Sequence, residues 1–347
     1  MGTMGKTVAI IAGLLLTATS PIKAGPCPPF YGITPFKQKI KAFFMGGNIW
    51  QAVEANNIKK AKKLVTRHPQ LANEPRYDRR LPLCLAKSPA MVDVLVAAGA
   101  DVNKKAERCH CPLLFQSRHG RAAVVKRLLE KGAKIETKGY MQGYTALHHA
   151  AYYDYLEVAK VLVDAGAKVT DNRSYLGNDT PLMVAANRGS EKVFAYLLSK
   201  DENPHLNKLL HIASEYGGYS TVRCGNENIV KLCLAAGADV NSDVDYSPAL
   251  HKAAKLLSSS MVQLLLKEGA DITARDRDGK TAIELIDGDY FRSYHPGLYK
   301  KTRDILVEYW NKVPPGYERP KPAVKAVANP ILQPNAYNDD FDGFMDF

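Results

Sequence analysis

A glycine–alanine pair returns along this chain at Gly99, Gly132, Gly166, Gly237 and Gly269, at intervals of 33, 34, 71 and 32 residues. The long interval is two periods plus a small insertion. Ahead of Gly166, Val158, Val161 and Leu162 keep a 3.6-residue apolar spacing, and ahead of those Leu147, Ala150 and Ala151 do the same. This spacing predicts two short helices, each with one apolar stripe. The glycine ends the second helix in the left-handed region, where a residue with a β-carbon would clash. Ala150 and Ala151 are small enough to let neighbouring helices approach closely. A single helical pair cannot bury its own stripes, so the unit demands copies of itself on either side. A fixed period near 33 residues with paired helices predicts an all-α solenoid.

A second pattern keeps phase with the glycines. Thr145-Ala146-Leu147-His148-His149-Ala150 is matched by Thr180-Pro181-Leu182-Met183-Val184-Ala185, by Leu209-Leu210-His211-Ile212-Ala213 and by Ala249-Leu250-His251-Lys252-Ala253. Gly-Ala-Asp-Val-Asn is complete at 99–103 and at 237–241. Over about residues 46–312 the chain therefore resembles the ankyrin-repeat family, whose pattern is Thr-Pro-Leu-His-x-Ala. The resemblance implies an ankyrin-repeat solenoid of stacked helix-turn-helix units, near 46–79, 80–110, 111–142, 143–177, 178–206, 207–246, 247–279 and 280–312. It also implies that the motif histidines, with the motif threonine, hydrogen-bond to fix the turns between repeats. Partners are expected on the concave face, lined by loop tips and the exposed parts of the first helices. The family binds many unrelated partners, so the resemblance does not choose one.

Some units depart from the pattern. The second is short by about three residues near Ser88-Pro89. Ser199-Lys200-Asp201 stands where a Gly-Ala ending should be, so that helix is expected to end differently. Eight extra residues at 215–224 read as a loop between two helices. Residues 287–299, rich in Gly, Pro and aromatics, read as an irregular loop before a last helix at 302–309.

The ends differ from the middle. Lys6, the nine-residue apolar run 8–16 and Ala24 read as a secretory signal peptide over 1–24. The run is too short for a membrane span of roughly 20 residues. These features point to an exported chain, periplasmic or secreted, from a bacterial source, with no stable membrane insertion after cleavage. Residues 25–45 read as an extended N-terminal arm. The first unit exposes Lys59, Lys60, Lys62, Lys63 and Arg67, as a solvated terminal cap would. Residues 313–347 read as a Pro-rich flexible tail with an acidic-aromatic end, Asp339-Asp340-Phe341-Asp342-Gly343-Phe344-Met345-Asp346-Phe347.

The net charge of +12 is unevenly placed: residues 25–140 carry 22 Lys+Arg against 8 Asp+Glu. That asymmetry favours an acidic protein partner for a monomeric chain. Nucleic acid is not expected, since export disfavours it and residues 37–80 lack the alternation of aromatic and basic residues typical of single-strand binders. The six cysteines form no regular framework; Cys84 and Cys233 sit at core positions, and a Cys224–Cys233 bridge is one option left open. Cys109, His110, Cys111 and His119 are ligand-type residues, but their spacing is not that of a zinc finger, and no metal is expected. No nucleophile elbow, Walker loop, dinucleotide fingerprint or His-Glu-x-x-His is present, so neither a catalytic residue nor a cofactor is assigned.

The remaining reading is a non-catalytic protein-binding module. Its candidate partner-binding residues are the loop-tip tyrosines Tyr140, Tyr144 and Tyr175, with Arg118, His119, Tyr152, Tyr153, Arg188 and Tyr216 at the ends of first helices. Tyrosine and arginine are the residues that most often anchor interfaces. Two alternatives stay open: an effector or enzyme acting from a non-repeat loop, and a binder of an anionic surface through the basic cap.

Overall fold

The computed structural model describes residues 49–314, apart from Tyr77, 106–110, 140–142, 171–178, 216–225, 245–246 and Gly288. The signal peptide, the N-terminal arm, residues 315–347 of the tail and most of the 215–224 insertion lie outside the described residues. Within them the chain is helices and turns, with no strand.

Helices come in pairs: α1 (Ile49–Glu54) and α2 (Ile58–Arg67), α3 (Pro82–Leu85) and α4 (Pro89–Ala97), α5 (Pro112–Arg118) and α6 (Ala122–Glu130). The series continues with α7 (Ala146–Tyr152) and α8 (Leu156–Asp164), α9 (Pro181–Arg188) and α10 (Glu191–Leu198), α11 (Leu206–Glu215) and α12 (Glu227–Ala235), and α13 (Ala249–Lys255) and α14 (Ser259–Lys267). The last pair is α15 (Ala282–Ile286) and α17 (Pro296–Trp310), with α16 (Asp289–Tyr294) between them. First helices pack on first helices along the whole stack. Second helices form another layer from α2 to α12, and α14 packs on α17. The apolar stripes meet in one continuous core from Ile49 to Leu306. Ala150 and Ala151 are fully buried between neighbours, as their size allows.

Two sets of left-handed residues set the register. Gly166 has φ 91°, and Gly99, Gly132, Gly237 and Gly269 follow α4, α6, α12 and α14 in the same conformation. A second set sits in the turn inside five of the pairs, at Asn56, Gly120, Asp154, Gly189 and Leu257. Asn and Asp tolerate this region, and here they also reach the next repeat. Ser88, the N-cap of α4, donates to Asn56 Oδ1 at 2.7 Å, and the Val193 amide in the first turn of α10 donates to Asp154 Oδ1 at 2.9 Å. Ser199 ends α10 in a right-handed conformation, without the glycine turn.

The motif side chains tie one repeat to the next. His148 Nε2 donates to the Asp179 carbonyl at 3.0 Å, His211 Nε2 to that of Ser242 at 2.9 Å and His251 Nε2 to that of Lys280 at 2.9 Å. A carbonyl can only accept, so Nε2 carries a proton in each of these rings. The Thr145 hydroxyl and amide donate to His148 Nδ1 at 2.8 and 3.3 Å. Pro248 replaces that threonine before His251, whose Nδ1 is left without a hydrogen-bond partner. The Asn of Gly-Ala-Asp-Val-Asn acts similarly. Asn103 donates to the Gly132 carbonyl at 3.0 Å and accepts from the Lys134 amide at 2.8 Å, and Asn241 brackets the turn at Gly269 in the same way.

The short second unit has its own repair. α3 has only four residues, and its buried end would leave carbonyls unpaired. Gln116, fully buried in the next repeat, sends Nε2 to the carbonyls of Leu83, Cys84 and Ala86, each at 2.9 Å.

Residues 287–299 differ from the irregular loop expected of them. They form α16 and the first turn of α17. Pro296 starts α17 at a position where its missing N–H is no loss. The Tyr299 hydroxyl and Arg303 Nε both donate to Asp287 Oδ1 at 2.8 Å and fasten the segment. Burial alone would raise the Asp287 pKa, but these bonds hold the carboxyl below its usual value. Burial pushes the Cys233 thiol up to about 12, and Cys84 and Cys111 are buried too, as small apolar core groups. Cys224 lies outside the described residues.

Gln116→Ala removes this donor from the buried carbonyls of Leu83 and Cys84, leaves that of Ala86 to Arg121 alone, and is expected to cost about 2 kcal/mol or more. A lower urea midpoint, with faster amide exchange at 81–90, checks this. Burial holds the His251 pKa below its ordinary value near 6.5. The unfolded chain therefore takes up this proton first as pH falls. The stability the neutral ring contributes is present above about pH 6.5 and is lost as pH falls toward the folded pKa. Melting temperature should fall between pH 7.5 and 5, and His251→Gln should flatten that slope.

Candidate partner-binding face

The left-handed turns at Gly120, Asp154 and Gly189 end α5, α7 and α9 at one height. The residues just before each turn therefore fall in a row across successive repeats. They are Arg118 and His119, then Tyr152 and Tyr153, then Arg188.

Side-chain contacts run through the row in two adjoining stretches. Arg118 Nε donates to the Tyr153 hydroxyl at 3.1 Å, with its guanidinium carbon 6.0 Å from that ring. Tyr153 meets Tyr152 edge-on at 4.7 Å and stacks with Tyr155 at 5.8 Å. The Arg188 guanidinium lies 3.8 Å over the Tyr152 ring. At the other end His119 stacks on Phe115 at 4.1 Å, and Arg80 sits 5.6 Å over Phe115. Cation and aromatic thus alternate from Arg80 to Arg188. Each such contact contributes about 0.5–1 kcal/mol at exposed sites, which biases the side chains toward this arrangement. Tyr153, Arg118 and His119 are exposed, and Tyr152, Tyr155 and Arg188 half-buried.

The potential here is positive. Burial first, then the charges of Arg121, Arg118 and Arg80, pushes the His119 pKa below its ordinary value. The ring is therefore neutral near pH 7, and its Nδ1 donates to the Phe115 carbonyl at 2.7 Å. Arg121 is half-buried and donates to neutral acceptors, the Ala86 carbonyl at 3.2 Å and Gln116 Oε1 at 3.1 Å. Burial lowers its pKa from the usual value.

Five of the candidate residues are brought together: Arg118, His119, Tyr152, Tyr153 and Arg188. Tyr144 stands apart. It stacks on His148 at 5.1 Å and meets His149 edge-on at 6.0 Å, so it packs within its own repeat. Tyr140, Tyr175 and Tyr216 lie outside the described residues. The row also contains Arg80, Phe115 and Tyr155, which were not among the candidates. Phe115 precedes His119 by four residues, the spacing that puts side chains on one helix face, so it was detectable. Tyr155, between α7 and α8, has no such spacing to mark it. The structure gives it a role: a β-carbon at Gly120 would lie 2.9 Å from the Tyr155 ring.

Cys109 and His110 lie outside the described residues. Among the described residues no group of three His, Cys, Asp or Glu side chains could hold a metal. No helix there is long and apolar enough to cross a membrane.

Stacked helical pairs with a side-chain row across their turns define a repeat protein built to present a surface. A model of ankyrin repeats in three copies matches residues 83–173 and 219–276, and a single ankyrin repeat matches 177–209. Together these cover more than half of the chain, which belongs to the ankyrin-repeat family. It is 30% identical over 214 residues to the ankyrin repeat and KH domain-containing protein mask-1 of Caenorhabditis elegans, covering 59% of this chain and 8% of that protein. It is 32% identical over 257 residues to an ankyrin repeat protein of Fowlpox virus (strain NVSL), covering 74% of this chain and 44% of that one. The chain thus spans less than half the length of either relative. Both are eukaryotic or viral and lend no support to a bacterial source. The crystal structure of the human ASB11 ankyrin repeat domain superposes with a TM-score of 0.53, at 24% identity, over 66% of this chain and 98% of that one; the likeness is one of fold.

Gly120→Ala forces a β-carbon against the Tyr155 ring and a left-handed φ of 70° onto alanine. It should cost about 1 kcal/mol or more. It should also displace Tyr155, seen as a changed tyrosine ring-current pattern at Tyr153.

Proposed function

We propose that this chain binds a protein partner, without catalysis, through the face that runs from Arg80 to Arg188. One observation carries the reading: guanidinium and aromatic groups alternate across four successive repeats, already fixed by contact with each other. Such anchors lose little side-chain freedom on binding. Ankyrin repeats in general serve as interaction surfaces, and this row lies where the concave face of the stack is expected. The positive potential at His119 favours an acidic partner, with charge steering the encounter. The protein acts as a monomer in this proposal, with no cofactor, metal or nucleic acid.

Export through a signal at 1–24 belongs to the same proposal, with the periplasm or the extracellular medium as destination. It is supported by Lys6 and the apolar run that follows. N-terminal sequencing of the protein recovered from its native compartment should give a mature start near Gly25; a start at Met1 overturns export.

A second reading has its own observation. Lys59, Lys60, Lys62, Lys63 and Arg67 are all exposed on α2, at the open end of the stack. An anionic surface could dock there, with binding that falls steeply as salt rises. Capture of partners on the mature chain separates the two. Tyr152→Ala/Tyr153→Ala should reduce recovery of the partner at least tenfold, while the melting temperature stays within a few degrees. Equal recovery by both proteins removes the face from Arg80 to Arg188 as the binding site.

A further inference from the structure

The positive charge on this face has no answering carboxylate at its centre. Arg118 donates to a phenol, and Arg121 to a carbonyl and an amide oxygen. Lys87, exposed, follows the same Ala86 carbonyl that Gln116 and Arg121 share. Among the described residues none of the three forms an ion pair. A half-buried guanidinium served only by neutral acceptors is short of counter-charge, and it gains more from a carboxylate than a solvated lysine does.

The chain itself carries a segment of the matching chemistry. Residues 339–347 hold four Asp and three Phe and no Lys or Arg. Carboxylates suit Arg118, Arg121 and Lys87. Phenylalanine rings suit the exposed face of Tyr153 and the edges beside it. The connection is long enough. From Pro314 to Asp339 are 25 residues, which at the polyproline rise of about 3.1 Å per residue reach about 78 Å. The last helical pair is five pairs from α5, and helices pack about 10 Å apart, so the distance to cover is about 50 Å.

We propose that residues 339–347 of this chain dock on the face formed by Lys87, Arg118, Arg121 and Tyr153, covering it until a partner displaces them. The proposal rests on that face being the partner-binding surface. The tail then acts as a tethered competitor, at an effective concentration on the order of millimolar for a flexible connection. An outside partner must match or exceed it.

The test compares the full chain with one lacking residues 335–347. Amide exchange at 115–121 and 152–155 should be slower in the full chain and should rise on deletion, with no dependence on protein concentration. A labelled peptide of residues 335–347 should bind the shortened chain. Arg118→Glu, an exposed substitution, should weaken that binding about tenfold or more. Identical exchange in the two chains overturns the proposal, as does peptide binding that Arg118→Glu leaves unchanged. Protection that appears only at high concentration assigns the tail to a second copy and overturns docking within one chain. Partner capture keeps this apart from the parent reading. Capture that depends on Tyr153, with no change in exchange, leaves the surface standing and ends self-docking. Tail-dependent exchange, with capture indifferent to Tyr152 and Tyr153, does the reverse.

Discussion

Each repeat of this protein ends in polar groups that only its neighbour can satisfy. His148, His211 and His251 reach out of their own helices to take a carbonyl of the following loop. Asn103 and Asn241 hold both a carbonyl and an amide of the next glycine turn. Gln116 works in the opposite direction, closing the helix before it. Apolar burial supplies most of the cohesion, but it is non-directional and would tolerate a slide between repeats. The bonds of the buried histidines and of Gln116 do not tolerate it, because a slipped repeat would strand a carbonyl or an imidazole at a cost of about 1–3 kcal/mol each. Packing therefore holds the repeats together, and these side chains decide at what height.

The proposed partner-binding face inherits that register. Arg118, Tyr153 and Arg188 come from three different helices and meet because each stands just before a left-handed turn residue at the same height. Asp154 shows the two roles joined. It adopts the left-handed turn that follows Tyr153, and its carboxylate accepts the Val193 amide of the next repeat. The residue that ends the helix carrying two tyrosines thus also positions the repeat carrying Arg188. A row of contacts 3.8–6.0 Å apart follows from backbone geometry, before any selection of a partner.

How much of this could be read from the chain depends on which link the information lived on. The solenoid was legible because glycine period, apolar spacing and motif histidines are local and repeated. Five of the nine candidate residues proved to be neighbours for the same reason, since equal offsets from equal turns imply a row. Tyr144 and Tyr153 are the same residue type on the same unit. One packs on the motif histidine and the other faces outward, and only the fold separates them. Phe115 is marked by its four-residue spacing to His119, whereas Tyr155 in a turn and Arg80 outside any helix carry no such signal. Residues 287–299 were misread because Gly, Pro and aromatics signal a break only when nothing caps them. Pro296 begins a helix, and Tyr299 and Arg303 close on Asp287 behind it.

The two basic regions of the chain are not equivalent. Lys59, Lys60, Lys62 and Lys63 stand in water on an exposed helix, and a ligand would have to dehydrate each ammonium and arrest a four-carbon stem. Arg118 and Arg188 are already laid against tyrosine rings, and Arg121 is half out of water. Part of the ordering and desolvation cost is met there by folding. The lysine cap can raise the rate at which an acidic partner arrives, while the arginine–tyrosine row can hold it once there. In the proposed reading, affinity would belong to the row from Arg80 to Arg188, and the first repeat would supply the long-range field.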